Sequence, residues 1–172
     1  MAKILIAYFS HAGENYVGGT LRSIEHGNTE IIANKLRAQL PSADLFHIET
    51  VTPYPEDYRQ CVAVAEREYN ESARPQLKGK VENMDQYDTL VLGFPCWHGT
   101  MPMACFTFLS SYNLRGKTII PFCTNEGSGM GRSEADIKRL CRGSKIKEGT
   151  SINGSNVNSA DAEVDSIAYM AR

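Results

Sequence analysis

The chain has no Cys-x-x-Cys pair, although it carries five cysteines: Cys61, Cys96, Cys105, Cys123 and Cys141. An odd set at scattered spacings argues against a disulfide frame and a zinc site, so no metal is expected. Charge of one sign is also missing. Lys and Arg number 18 against 20 Asp and Glu, a net charge of −2, and neither nucleic acid nor an anionic membrane is an expected partner. No apolar run approaches the ~20 residues of a membrane span, and the run beginning at Ile4 is too short and β-rich for a signal peptide. Together with reduced thiols, these absences predict a cytoplasmic protein. There is no repeat, linker or low-complexity tract. At 172 residues the chain suits one domain, 1–172, able to bury roughly 70% of the surface of its unfolded form.

What is present is an alternation. Short runs rich in Val, Ile, Leu and Phe recur at Ile4 to Phe9, Leu45 to Ile48, Thr89 to Phe94 and Thr118 to Cys123, and a helical pattern follows each. That order predicts βαβ units in an α/β fold. The first helix should start at Asn28 or Thr29 and bury Ile32, Leu36 and Leu40. The second, after Pro55, sets Tyr58, Cys61, Val62, Ala65 and Tyr69 at helical spacing, and both stripes are expected to face a sheet. A third helix opens at Pro102, and a fourth on Ser133-Glu134-Ala135-Asp136, a capping-box pattern. A fifth carries Ala160, Val164 and Ile167. Lys145 to Ile152 reads as a broken strand at a sheet edge. Pro121 conflicts with an interior strand, because proline lacks the donor that a sheet ladder needs.

The most informative stretch is the first run, which ends at Ser10 and is answered by Gly27-Asn28-Thr29-Glu30. A buried strand delivering a hydroxyl beside a helix start offers backbone N–H groups, the positive helix end and side-chain donors to one anion. A phosphate monoester suits it, and no Lys or Arg lies between Phe9 and Leu21, so neutral donors would do most of the neutralising. Two further loops fall at strand carboxyl ends, where ligands sit in open doubly wound sheets. They are Pro95-Cys96-Trp97-His98-Gly99-Thr100 and Thr124-Asn125-Glu126-Gly127-Ser128-Gly129-Met130-Gly131. Trp97, the only tryptophan, offers a face on which a flat heterocycle can stack. The long segment His11 to His26 is too apolar for a tether and is expected to pack as a flap over the site or against a neighbour.

On the motifs AYFS with GNTE, GFPCWHGTMP and IIPFCTNEGSGMG, nearly the whole chain resembles the flavodoxin family, in a branch whose phosphate loop is split by an insertion. The resemblance implies a three-layer, doubly wound, five-stranded parallel sheet in the order 2-1-3-4-5, with FMN held non-covalently for electron transfer. Carried over, Ser10, Asn28 and Thr29 hold the phosphate with the His11 backbone nearby. Pro95, Cys96, Trp97, His98 and Gly99 border the ring, and Thr124, Asn125, Gly127, Ser128 and Gly129 line its other edge and the ribityl chain. The chain departs from the family in its extended phosphate loop, which leaves Asn15 and Tyr16 without assigned roles, and in its modest charge.

Each feature also has a plainer reading. Gly27-Asn28-Thr29 can simply cap a helix, Trp97 can anchor a core, Cys96 can be a small packing residue and His98 a loop hydrogen-bonder. Two functions stay open: an electron carrier between redox partner proteins, and an NAD(P)H-dependent FMN reductase acting on quinones or similar small acceptors. A receiver-like signalling domain fits less well, because the first strand ends in Ser10 and not in an acidic cluster. No catalytic residue or oligomeric state is assigned.

Overall fold

The computed structural model describes residues 3–172. The first apolar run forms strand β1 (Ile4–Tyr8), buried at every position. An antiparallel hairpin follows, β2 (Gly13–Val17) and β3 (Thr20–Ile24), then helix α1 (Asn28–Gln39) and strand β4 (Asp44–His47). Next come helix α2 (Tyr58–Asn70), strand β5 (Thr89–Pro95), helix α3 (Met103–Ser110), strand β6 (Thr118–Asn125) and helix α4 (Ser133–Leu140). Strands β7 (Lys145–Ile146) and β8 (Thr150–Asn153) and helix α5 (Asp161–Ala171) complete the described chain. No helix among the described residues is long and apolar enough to cross a membrane.

The central sheet runs β4-β1-β5-β6, with β7 and β8 both on the outer edge of β6, and all of these pairs are parallel. In terms of the five expected strands this is the order 2-1-3-4-5, with the fifth strand cut in two. The cut accounts for Pro121. The carbonyls of Lys117 and Ile119 accept from the amides of Lys145 (2.8 Å) and Lys147 (2.9 Å), so residues 117, 119 and 121 turn their backbone polar groups outward. Pro121 has no N–H to offer there. It falls between Ile119, which pairs with Ile146, and Phe122, which pairs with Thr150, while its other side still pairs with Leu92. The missing donor therefore meets the break and leaves the interior ladder intact.

Helices α1 and α5 cover one face of the sheet, burying Ile32, Leu36, Val164 and Ile167, while α3 and α4 bury Phe106, Phe108 and Ile137 on the other. Each such side chain contributes about 1.5–3 kcal/mol by leaving water. Helix α2 departs from expectation. Its stripe was expected on the sheet, yet it packs chiefly against α3 and β2, and Cys61 and Ala65 are buried without joining either sheet core. The hairpin gives that stripe a different neighbour: the Glu14 amide donates to the Glu56 carbonyl (3.0 Å), and the Tyr58 amide to the Glu14 carboxylate (3.2 Å). The capping box of α4 is not formed. Ser133 lies within the helix with its hydroxyl donating to the Met130 carbonyl (2.6 Å), and the Asp136 carboxylate instead accepts from the Thr100 hydroxyl (2.5 Å) and the Arg139 guanidinium (3.0 Å).

The 11–26 segment, expected only as a packed flap, is mostly this hairpin. Gly18 and Gly19 have φ of 64° and 81°, the pair of positive angles that a two-residue type I′ turn requires. An isolated two-stranded ribbon is marginal in water. A Gly19→Val substitution meets no neighbouring atom but forces a branched residue to positive φ, at about 1–2 kcal/mol. We expect amide exchange across residues 14–23 to accelerate about tenfold, since ~1.4 kcal/mol is one decade, with β5 amides unchanged. Equal acceleration in β5 would show that the hairpin unfolds only with the whole domain.

Candidate functional site

The carboxyl ends of β1, β5 and β6 and the start of α1 border one cleft of about 350 Å³, roofed by the hairpin through Asn15 and Tyr16. At its helix end the chain folds tightly because residue 27 is glycine: a Cβ there would lie 2.1 Å from Ser10 Oγ and 2.9 Å from the His11 nitrogen. That contact lets Ser10 Oγ accept from the Glu30 amide (3.1 Å), capping α1 from a different element, since Gly27 has no side chain to do so. The first-turn amides of Asn28 and Thr29 have no carbonyl one turn back, and no acceptor is found for them among the described residues. Thr29 is buried and its hydroxyl shares a 2.8 Å hydrogen bond with that of Thr124, joining α1 to β6 beneath the cleft. No Lys or Arg lines this cleft.

The second loop turns back on itself at once. Trp97 and Thr100 exchange backbone hydrogen bonds of 2.8 and 3.1 Å, and His98 and Gly99 between them have φ of 51° and 76°. A non-glycine residue held at positive φ stores about 1–3 kcal/mol of strain, a cost common at functional sites. The turn sends the His98 ring away from the cleft to stack on Tyr69, with centroids 5.7 Å apart. Trp97 is wedged edge-on against Phe9 and Tyr54, both at 5.1 Å, and against His11 at 5.9 Å, which fixes the indole as a rigid wall. His11 Nε2 meets the Pro55 carbonyl at 2.9 Å, so that nitrogen carries the hydrogen. Burial holds its pKa below the usual histidine value, against the opposing pull of Pro55 and Glu56.

Cys96, expected at the border of the ring, lies in the cleft, and its surroundings make it acidic, which the plainer reading of a small packing residue does not include. The neighbouring Cys123 thiol is the main cause, burial opposes it, and Ser128, the Gly99 backbone and the Arg132 charge add to the effect, bringing the thiol down to about 6. Cys123, well buried and with its thiol 3.6 Å from the Thr124 and Gly129 carbonyls, is pushed far above the usual thiol range by Cys96 and by burial. Cys96 is the member that ionises because it is only half-buried, whereas Cys61, Cys105, Cys123 and Cys141 are buried.

The third loop is pinned by Asn125, whose side-chain oxygen accepts from the amides of Gly127 (2.9 Å) and Gly129 (3.1 Å) while its nitrogen donates to Ser151 (2.8 Å). Ser10, His11, Asn28, Thr29, Pro95, Cys96, Trp97, Thr124, Asn125 and Ser128 all line the cleft, as the sequence reading expected. His98, Gly99, Gly127 and Gly129 stand back from it and act through the turns they make. Asn15, Tyr16, Tyr58 and Glu126 line the cleft without having been assigned there. Glu126 accepts from the Gly18 amide (2.8 Å) and latches the hairpin, and the Tyr16 ring meets Tyr58 edge-on at 4.9 Å. The Gly18-Gly19 pair was the available signal: read as a two-residue hairpin turn, it places Asn15 and Tyr16 on a ribbon that folds back over the first loop.

The sequence model of the family described as Flavodoxin matches residues 3–166. A candidate flavoprotein from Bacteroides eggerthii is 31% identical with a TM-score of 0.74, over 98% of this chain and 99% of that one. A second, from Bacteroides uniformis, is 26% identical with a TM-score of 0.75, over 96% and 97%. A flavoprotein from Lactobacillus acidophilus NCFM, solved in complex with FMN, shares the fold at 18% identity and a TM-score of 0.70, over 98% and 99%. No curated protein sequence matches the chain.

Labelling of ligand-free protein with iodoacetamide should rise with pH about a midpoint near 6, the value of the Cys96 thiol, and Cys96→Ser should abolish it. A midpoint near the ordinary thiol value would overturn the assignment of Cys96 as a thiolate at neutral pH.

Proposed function

This chain belongs to the flavodoxin family, and on that premise we propose that it is an FMN-binding redox protein that carries electrons between partner enzymes. The observation that supports the reading is the convergence of three loops on one cleft, with an anion cradle free of lysine and arginine at one end and a fixed indole wall along it. The residues present fit the cofactor. A phosphate monoester carries about −1.5 to −2 charges, and the cradle meets it with the amides of Asn28 and Thr29, the Ser10 hydroxyl and the positive end of α1. Trp97 suits a flat heterocycle, and a volume of about 350 Å³ lies in the range of small-molecule sites. When bound, FMN supplies the redox chemistry.

The protein's own contribution is binding, orientation and charge. The Thr29–Thr124 hydrogen bond fixes the start of α1 relative to β6, so the two loops keep one spacing. Asn125 holds the third loop, and the Glu126 carboxylate, by accepting from Gly18, keeps the hairpin over the cleft. The Cys96 thiolate and Glu126 put negative charge on the walls, which disfavours any anionic reduced form and lowers the potential at which electrons leave. The partners proposed are redox proteins, and the cytoplasm is the proposed compartment, because a thiolate persists only in a reducing medium. Reduction of small acceptors at the same cleft is the second reading, favoured by a second cavity beside the first.

Two measurements test this. Ser10→Ala combined with Thr29→Val removes the one cradle hydroxyl together with the Thr29–Thr124 bond that sets the position of the cradle's amides, and hydrogen bonds to a charged group are worth about 1.5–3 kcal/mol. FMN binding should weaken at least tenfold while riboflavin binding changes little, and equal losses for both would remove the phosphate assignment. Protein loaded with FMN and mixed with NADPH or NADH without oxygen should keep its yellow colour until dithionite is added. Rapid bleaching by either nucleotide would instead make the chain a reductase.

A further inference from the structure

Most of the apolar stripe of α2 is not spent on the sheet, Tyr69 being the member that packs against the sheet core. Cys61, Val62 and Ala65 face a separate cavity of about 190 Å³, closed on the opposite side by Trp97. This cavity shares His11, Asn15, Tyr58, Cys96 and Trp97 with the larger cleft, so the two are neighbours across one wall. We propose that it is a binding site for one small, uncharged, flat molecule bearing a carbonyl oxygen, a one-ring quinone being the class that fits. The proposal deepens the redox reading, on which the site's role as an acceptor pocket rests; the cavity and its walls exist without it.

Three features select that chemistry. Apolar side chains of a single helix on one side and an indole on the other favour a thin, apolar body over a branched one. The volume limits the occupant to about one ring with small substituents. On the rim, Glu14 places a carboxylate that repels anions, held by the Tyr58 amide at 3.2 Å. Tyr58 and His98 also line the cavity, and neither the Tyr58 hydroxyl nor the His98 ring has a hydrogen-bond partner among the described residues, so each is free to meet an acceptor oxygen. Burial, with the neighbouring Tyr16 and Cys61, raises the Tyr58 pKa, which keeps that hydroxyl protonated as a donor.

Duroquinone is a suitable probe because all four non-carbonyl ring carbons are methylated and the Cys96 thiolate has no ring C–H at which to add and displace hydrogen. Equilibrium dialysis against oxidised protein, with and without FMN, should give one saturable site, and the Trp97 indole NMR signal should shift with the same titration. Val62→Trp and, as a milder change on the same wall, Ala65→Val should weaken duroquinone binding at least tenfold and about threefold respectively. FMN affinity should stay within twofold in both, since neither residue lines the larger cleft. 2,3,5,6-Tetramethylbenzoate, a tetramethylated ring of similar size that carries a carboxylate in place of the ring carbonyls, should bind at least tenfold more weakly. Duroquinone binding that is absent, or unchanged in both variants, overturns the site. Equal binding of the benzoate overturns the uncharged-ligand assignment. If duroquinone binds and is lost on filling the cavity while FMN does not bind at all, the site stands and the FMN reading fails.

Discussion

The close approach of Ser10 to the start of α1 is the contact on which the rest of the cleft depends. A parallel sheet brings strand carboxyl ends and helix amino ends to one edge, but it does not by itself press them together. Here the absence of a side chain at Gly27 removes the atom that would keep β1 and α1 apart. Ser10 then caps α1 in place of a local residue. A local cap would occupy the helix's own amides; a cap from the preceding strand satisfies that of Glu30 and leaves those of Asn28 and Thr29 pointing outward. The same contact fixes where the segment after Ser10 must leave, and hence where the hairpin rises.

The hairpin and α2 have to be understood together. In a doubly wound fold each crossover helix normally buries its stripe on the sheet, which is the source of most of its stability. Helix α2 instead leans on α3 and on β2, and is tied to the hairpin by Glu14 through the Glu56 carbonyl and the Tyr58 amide. The hydrophobic contribution lost at the sheet is partly replaced by contact with β2 and the Tyr16–Tyr58 ring pair. What remains is a cavity walled by the unused part of the stripe. The hairpin thus leaves α2 with a lining role while the strand order holds, because the sheet keeps its core on both faces.

How much of this could be read from sequence follows from the range of the interactions concerned. Strands β1, β5 and β6 and helices α1 and α5 were legible because their apolar periodicity reports local burial directly. Ser10, Thr29, Trp97 and Asn125 were legible as cleft residues through motifs that fix their place on strand ends. Pro121 was legible only as a conflict, since its tolerance comes from a break in a different strand, at residues 147–149. The placement of α2 was missed for a related reason: a 3.6-residue period says that a face is buried, not against what. The acidity of Cys96 was not legible because it comes from Cys123, Ser128, Gly99 and Arg132, three of them more than 25 positions away.

Charge is the remaining constraint, and it reconciles the cradle with the loops around it. A cleft without Lys or Arg cannot favour a bound anion by ion pairing, so selectivity for a phosphate has to come from geometry: two amides, one hydroxyl and a helix end. Negative charge from Glu126 and Cys96 works against any second anion on the walls. Arg132 offsets this from outside the cleft, its guanidinium donating to the His98 carbonyl (3.0 Å) and the Tyr69 hydroxyl (2.6 Å). In that position it supports the strained Trp97 turn and favours the Cys96 thiolate, yet lies too far back to neutralise a ligand. The cation is thus spent on shaping the wall and the neutral donors on holding the ligand. A redox group placed there would be bound by its phosphate and made harder to reduce by its surroundings, two effects assigned to separate residues and therefore separable by mutation.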